Sequence, residues 1–325
     1  MDRVLVTGAF GQIGTELTRA LRARHGHDNV LATGRLSPGS GSSSRTGPSA
    51  CVDVTRPEAI VDAIRSHETD IIYHLAARLS AVGEDDPQLA WSVNMGGLYN
   101  VLEAARLNGV RQVFWPSSIA AFGPGSPTVQ TPQDTVMRPT TIYGVTKVAG
   151  ELLCDYYANR YELDVRGVRY PGVISSDALP GGGTTDYAVA MFYAALTQQP
   201  YTCFVRSDTV LPMVYMPDCI TAAMSLMQAD GARLRHRNAF NIAAMSFSAG
   251  DLASEIQKHV PEFECRFVPD ARQAIADSWP RSLDDTAARE EWGWQPAFGL
   301  EAMTADMLDR LRARQAAGTL SSERS

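Results

Sequence analysis

Val4-Leu5-Val6-Thr7-Gly8-Ala9-Phe10-Gly11-Gln12-Ile13-Gly14 decides the fold. Four strand-forming residues run into three glycines spaced three apart, and the helical pattern of residues 12–24 follows at once. Glycine tolerates dihedrals and close backbone approach that other residues do not. The helix N-terminus adds unpaired N–H groups and a positive dipole. A strand, a glycine turn and a helix in that order make a cradle for a pyrophosphate. The spacing is G-x-x-G-x-x-G rather than the general G-x-G-x-x-G, so its place between strand and helix carries the reading.

Outward from that turn, β-rich runs near residues 30–33, 71–75 and 112–115 alternate with helical patterns near 57–66 and 87–107. This is the βαβ rhythm of a doubly wound parallel sheet, a Rossmann-like α/β fold. Residues 36–50 are rich in Gly, Ser and Pro and predict a flexible loop at the sheet edge. A helix over about 143–161 and a strand over 164–170 continue the pattern. Beyond Pro171 come isolated helices near 186–196, 217–228 and 249–259. The expected division is a dinucleotide-binding domain over 1–172, its sheet completed by parts of 205–245. A smaller substrate lobe covers most of 173–312, and a frayed tail covers 313–325. Ligands of open α/β sheets bind beyond the carboxyl ends of the strands, so cofactor and substrate are expected between the lobes.

The 325 residues and formal charge of -7 disfavour nucleic acid, which needs a basic surface, and leave a small molecule as the expected partner. No apolar run approaches the length of a membrane span, and the first strand leaves no space for a leader peptide. Cys51, Cys154, Cys203, Cys219 and Cys265 are scattered and show no metal-ligand spacing; together these features point to a cytoplasmic chain without a metal.

Two further places bear on the cofactor. The second strand ends Ala32-Thr33-Gly34-Arg35, where an acid favours a free ribose 2′-hydroxyl and an arginine a 2′-phosphate. Arg35 is either such a ligand or a solvated loop cation. Asp53, followed by Val54, ends a short apolar run and is a candidate acceptor for the adenine amino group, or an acid preceding the helix that starts near Pro57.

Tyr143 and Lys147 stand at i and i+4, on one face of a helix. A free phenol ionises near pH ~10, but a neighbouring ammonium and the cationic nicotinamide ring favour the phenolate. Tyr143 then takes a hydroxyl proton as hydride leaves the adjacent carbon. Ser118, 25 positions upstream, is placed to bond the same substrate oxygen. The combination points to alcohol oxidation or carbonyl reduction.

The glycine turn, Leu75-Ala76-Ala77, Asn94, Ser117-Ser118 and the Tyr143/Lys147 pair resemble the extended short-chain dehydrogenase/reductase family. A narrower resemblance, to the short-chain-type L-threonine 3-dehydrogenases, lies in residues 116–123, 168–172, 179–188, 211–218 and 272–285. It implies oxidation of the L-threonine 3-hydroxyl to 2-amino-3-oxobutyrate with NAD, without metal, by Ser118, Tyr143 and Lys147. Cofactor contacts are implied for Gly8, Gly11, Gln12, Ile13, Gly14, Arg35, Asp53, Val54, Leu75, Ala76, Ala77, Asn94, Tyr143, Lys147, Tyr170 and Val173. Substrate contacts are implied for Ser80, Ser118, Tyr143, Thr185, Asp186 and Trp279, and a homodimer is implied. Gly34 departs from the pattern, standing where an acid is common in these proteins, so NADP stays open beside NAD. The competing readings are a sugar-nucleotide epimerase or dehydratase, and a non-catalytic dinucleotide sensor.

Overall fold

The computed structural model describes residues 1–35, 47–177 and 181–320. Strands β1 (Val4–Thr7), β2 (Val30–Gly34), β3 (Ser49–Cys51), β4 (Ile71–His74), β5 (Gln112–Phe114) and β7 (Asp164–Arg166) form a six-stranded parallel sheet in the order β3-β2-β1-β4-β5-β7. A strand buried on both faces has no polar side to show. β1 and β4 are accordingly buried throughout, with Val4, Val6, Ile71 and Tyr73 on one face and Leu5 and Ile72 on the other.

Helices α1 (Gln12–His25) and α8 (Met216–Gln228) cover the first face; α2 (Pro57–His67), α5 (Gly97–Leu107) and α6 (Ile142–Tyr161) cover the second. A third apolar cluster lies on the C-terminal side. There α7 (Tyr187–Leu196), α9 (Ala249–His259) and α12 (Leu300–Ala316) pack around Phe192, Ile256 and Met307. No helix among the described residues is long and apolar enough to cross a membrane.

Several sequence expectations need correction. The strand expected over 164–170 breaks at Gly167 into β7 and β8 (Val168–Tyr170). β8 pairs with β6 (Ser117–Ser118) on one side and with β12 (Phe240–Asn241) on the other, all parallel. β6 follows β5, and β8 follows β7, along the same chain path. Residues 205–245 thus reach the sheet only through β12, beyond that break. The expected edge loop also changes: Ser49 and Ala50 belong to β3, paired with Ala32 and Thr33 of β2, whereas residues 36–46 lie outside the described residues.

The helix expected over 87–107 is interrupted by a π-helical turn, Ser92–Gly96, between α4 (Pro87–Trp91) and α5. The frayed tail expected from 313 is instead helical to Ala316. Leu311 is fully buried, and Arg314 Nη1 donates to the Ser176 carbonyl and to the Tyr193 hydroxyl. Arginine-rich sequence hid this anchoring, and residues 321–325 lie outside the described residues.

Candidate active site

The carboxyl ends of β1, β2 and β4 converge on the glycine turn. Gly8 has φ +71°, and a Cβ there would lie 2.6 Å from the Ala76 backbone nitrogen, because Leu75-Ala76 crosses directly over it. Leu75 N also donates to Thr7 O at 3.0 Å, binding β4's end to the turn. Gly14 lies against the Gly8 carbonyl and Ala9 Cα, with no space for a side chain. Gly11 is the N-cap of α1 and supplies no side-chain cap, which leaves the first-turn N–H groups at Gln12 and Ile13 uncapped by it. Gln12 Nε2 is buried without a hydrogen-bond partner among the described residues. A backbone cradle bare of Cβ atoms and an unmet donor beside it fit a dinucleotide pyrophosphate. Gly14→Ala should cost about 1–3 kcal/mol through overpacking and weaken dinucleotide binding with it. A thermal midpoint equal to wild type would contradict this contact.

Asp53 is committed locally: its Oδ1 accepts from Thr55 N at 2.9 Å and Thr55 Oγ1 at 2.8 Å, and these bonds hold its carboxyl below the usual range. Val54 is buried, and its carbonyl accepts from Asn100. Asn94 is the clasp of the site. Within the π-helical turn its Oδ1 accepts from Arg78 N at 2.8 Å, while its Nδ2 donates to Arg78 O and Thr146 Oγ1, each at 3.1 Å. The loop carrying Leu75, Ala76 and Ala77 is thereby tied to the helix carrying Tyr143 and Lys147. Tyr170 turns away from this end: its hydroxyl donates to Cys219 O at 2.9 Å, although its backbone pairs with Ser118. Val173 pairs with Val214 in the neighbouring sheet of β9 (Gly172–Ile174) and β11 (Val210–Tyr215).

Thr141 caps α6, its hydroxyl accepting from Gly144 N at 3.1 Å, so Tyr143 and Lys147 occupy the first turns of a 20-residue helix. Ser118 ends β6, its Oγ accepts from Ala120 N at 3.2 Å, and its hydroxyl stands close enough to the Tyr143 phenol to favour the phenolate slightly. The trio is thus assembled. Lys147 is buried, its Nζ donates to Pro116 O at 2.6 Å, and it stands 4.4 Å from the Trp115 ring centroid and 5.4 Å from that of Tyr143. Burial pushes the ammonium down to about 8. Burial also pushes the Tyr143 phenol up to about 12, against a smaller lowering by Ser118. The phenolate therefore needs positive charge beyond what Lys147 alone supplies at this distance.

The proposed substrate residues divide. Ser80, at the start of α3 (Ser80–Asp85), bonds Thr184 Oγ1 at 3.1 Å, which joins α3 to the glycine loop. Asp186 closes that loop, with Oδ2 accepting from Gly182 N and Gly183 N at 2.8 Å each. Thr185 lies against Gly172 at the start of β9. Trp279 is packed in the C-terminal apolar cluster at 6% exposure, the cluster against which Tyr143 also packs.

A profile of the NAD dependent epimerase/dehydratase family matches residues 4–243. The chain belongs to that family. An uncharacterized epimerase/dehydratase of Staphylococcus saprophyticus is 48% identical over 318 residues, 98% of this chain and 99% of the relative. Among solved structures, the GalE-like L-threonine dehydrogenase from Cupriavidus necator in its holo form is 50% identical with TM-score 0.92, covering 95% of this chain and 99% of that one. The L-threonine dehydrogenase from Clostridium difficile is 47% identical with TM-score 0.93, covering 97% and 98%.

In this epimerase/dehydratase-family chain, three supports of the site escaped sequence reading. Glu151 accepts from Arg169 Nε at 2.9 Å and Nη2 at 2.8 Å and from the Ser117 hydroxyl, fixing α6 to the strand that carries Ser118. All three side chains are buried. Thr146 joins the Asn94 clasp. His74, whose Nδ1 bonds Thr7 Oγ1 at 2.6 Å, is held neutral, pushed down to about 3 by burial and then by the charge of Lys147. A histidine ending an otherwise apolar strand was the available signal for the last.

Proposed function

We propose that this chain oxidises the 3-hydroxyl of L-threonine to 2-amino-3-oxobutyrate. The observation that carries the reading is the likeness, over nearly the whole of both chains, to the Cupriavidus necator and Clostridium difficile L-threonine dehydrogenases. When bound, the nicotinamide dinucleotide supplies the acceptor for the hydride from C3; Gly8, Gly11 and Gly14 with the Gln12 and Ile13 N–H groups hold its pyrophosphate. Tyr143 Oη takes the 3-hydroxyl proton. Ser118 Oγ donates to the same substrate oxygen and keeps it in line with the phenol. Lys147, fixed by Pro116 O, contributes the positive charge that moves the phenol toward the working range.

A zwitterion needs donors for its carboxylate and acceptors for its ammonium, and the loop around Ser80, Thr185 and Asp186 offers both kinds of group. Trp279 contributes an apolar wall to the same lobe. A homodimer is part of the proposal: Tyr99, Leu152 and Tyr156, exposed at 51%, 62% and 52%, give α5 and α6 an outward apolar face.

The test offers L-threonine, L-serine and a sugar nucleotide, each with NAD and with NADP, and follows the reduced-nicotinamide band. Stoichiometric reduction with L-threonine is the expected result. Conversion of the sugar nucleotide with no net reduction would overturn the reading in favour of an epimerase or dehydratase, and binding without turnover of any substrate in favour of a sensor.

A further inference from the structure

The end of β2 differs in kind from the rest of the cofactor cradle. Gly34 has an ordinary backbone conformation, so no left-handed φ explains the missing side chain. The explanation is Phe10. A Cβ on Gly34 would lie 2.8 Å from Phe10 Cδ2 and 3.2 Å from Cε2, so the ring fills the space into which a side chain would project. A side chain on Gly34 would require the ring of Phe10 to move. Its neighbour Ala9 donates from N to Thr33 O at 3.0 Å, the Gly34 carbonyl accepts from Val52 N at 2.9 Å, and the ring packs against the apolar cluster beneath α1.

Phe10 therefore excludes the carboxylate that would accept a hydrogen bond from a ribose 2′-hydroxyl and repel a phosphate there. The nearby Asp53 turns its Oδ1 to Thr55, accepting from both its N and its Oγ1. Arg35 follows directly, exposed, and its guanidinium makes no hydrogen bond or ion pair among the described residues. Its charge does reach Asp53, which puts it on the side of the strand end where Asp53 lies. A planar guanidinium whose donors are unpaired among the described residues matches a phosphate's oxygens.

We propose that Phe10, Gly34 and Arg35 together form a 2′-phosphate subsite, so that the chain takes NADP in preference to NAD. This deepens the proposed function by naming its cofactor, but it depends only on the dinucleotide cradle and not on the substrate.

The test is calorimetric titration of the full chain with NADP⁺ and NAD⁺, and with 2′,5′-ADP and 5′-AMP, all without amino acid. Wild type should bind NADP⁺ at least tenfold more tightly than NAD⁺, and 2′,5′-ADP more tightly than 5′-AMP. Arg35→Gln should lower the NAD⁺/NADP⁺ Kd ratio about tenfold, the loss of one charge-assisted contact. Gly34→Asp alone should lower the thermal midpoint, because its Cβ meets the Phe10 ring. Combined with Phe10→Ala it should fold and reverse the preference toward NAD⁺.

Equal or tighter binding of NAD⁺ by wild type, or an Arg35→Gln effect of the same size on both nucleotides, would overturn the subsite. Absence of L-threonine turnover would instead strike the proposed reaction and leave this preference standing.

Discussion

Tyr143→Phe is expected to lower L-threonine oxidation by about 10²- to 10⁴-fold, the range for removing a positioned general base. The substitution deletes one hydroxyl on a half-buried ring that packs against the C-terminal cluster, so the fold is kept. Dinucleotide affinity should change little, because the cradle is made by the glycine turn and the first turn of α1. The pH profile separates loss of chemistry from loss of structure. With the phenol pushed up to about 12 in the unliganded protein, turnover in wild type should rise with pH as the phenolate fraction grows. The residual activity of Tyr143→Phe should lack that rise. An unchanged slope in the variant would show that another group takes the proton.

Lys147→Met is expected to reduce turnover by about 10- to 10³-fold, since an ammonium near a phenol shifts its ionisation by about 1–3 units. Stability should move the other way or stay level. Folding holds the Lys147 ammonium at about 8, below its ordinary value, so the folded state is disfavoured by charging it. That penalty is fully present below about pH 8 and fades as pH rises through the folded value toward the ordinary lysine range. At pH 7 the variant should therefore melt no lower than wild type, apart from the lost bond to Pro116 O. A pronounced fall in the melting temperature would mean that Lys147 is mainly a structural cation over Trp115.

What was legible in the sequence followed local rules. The glycine turn, the alternation of strands and helices, and a tyrosine and lysine four apart are short-range patterns, and the structure sets all of them at one end of one sheet. Interactions between distant residues were not legible. Glu151 meets Arg169 and Ser117 only because a helix crosses two strands, and no spacing along the chain announces that contact. The π-helical turn at Asn94 was hidden for another reason: one extra residue in a turn hardly disturbs an apolar stripe, although it swings the amide onto Arg78 and Thr146.

The β2 end shows both limits together. Gly34-Arg35 stood out as a departure, but only the Phe10 ring explains why no acid occupies that place. Trp279 illustrates the converse. Its motif points to the amino-acid site, while its burial in the C-terminal cluster is common to a core residue and to a wall of that site.

The most direct measurement uses L-threonine carrying deuterium at C3, incubated with the wild-type chain and oxidised nucleotide, with the nucleotide and the amino-acid product then weighed by mass spectrometry. One deuterium should appear in each reduced nucleotide and none at C3 of the product, and Tyr143→Phe should lose this transfer. Reduced nucleotide without label, or label retained at C3, would contradict hydride transfer from C3.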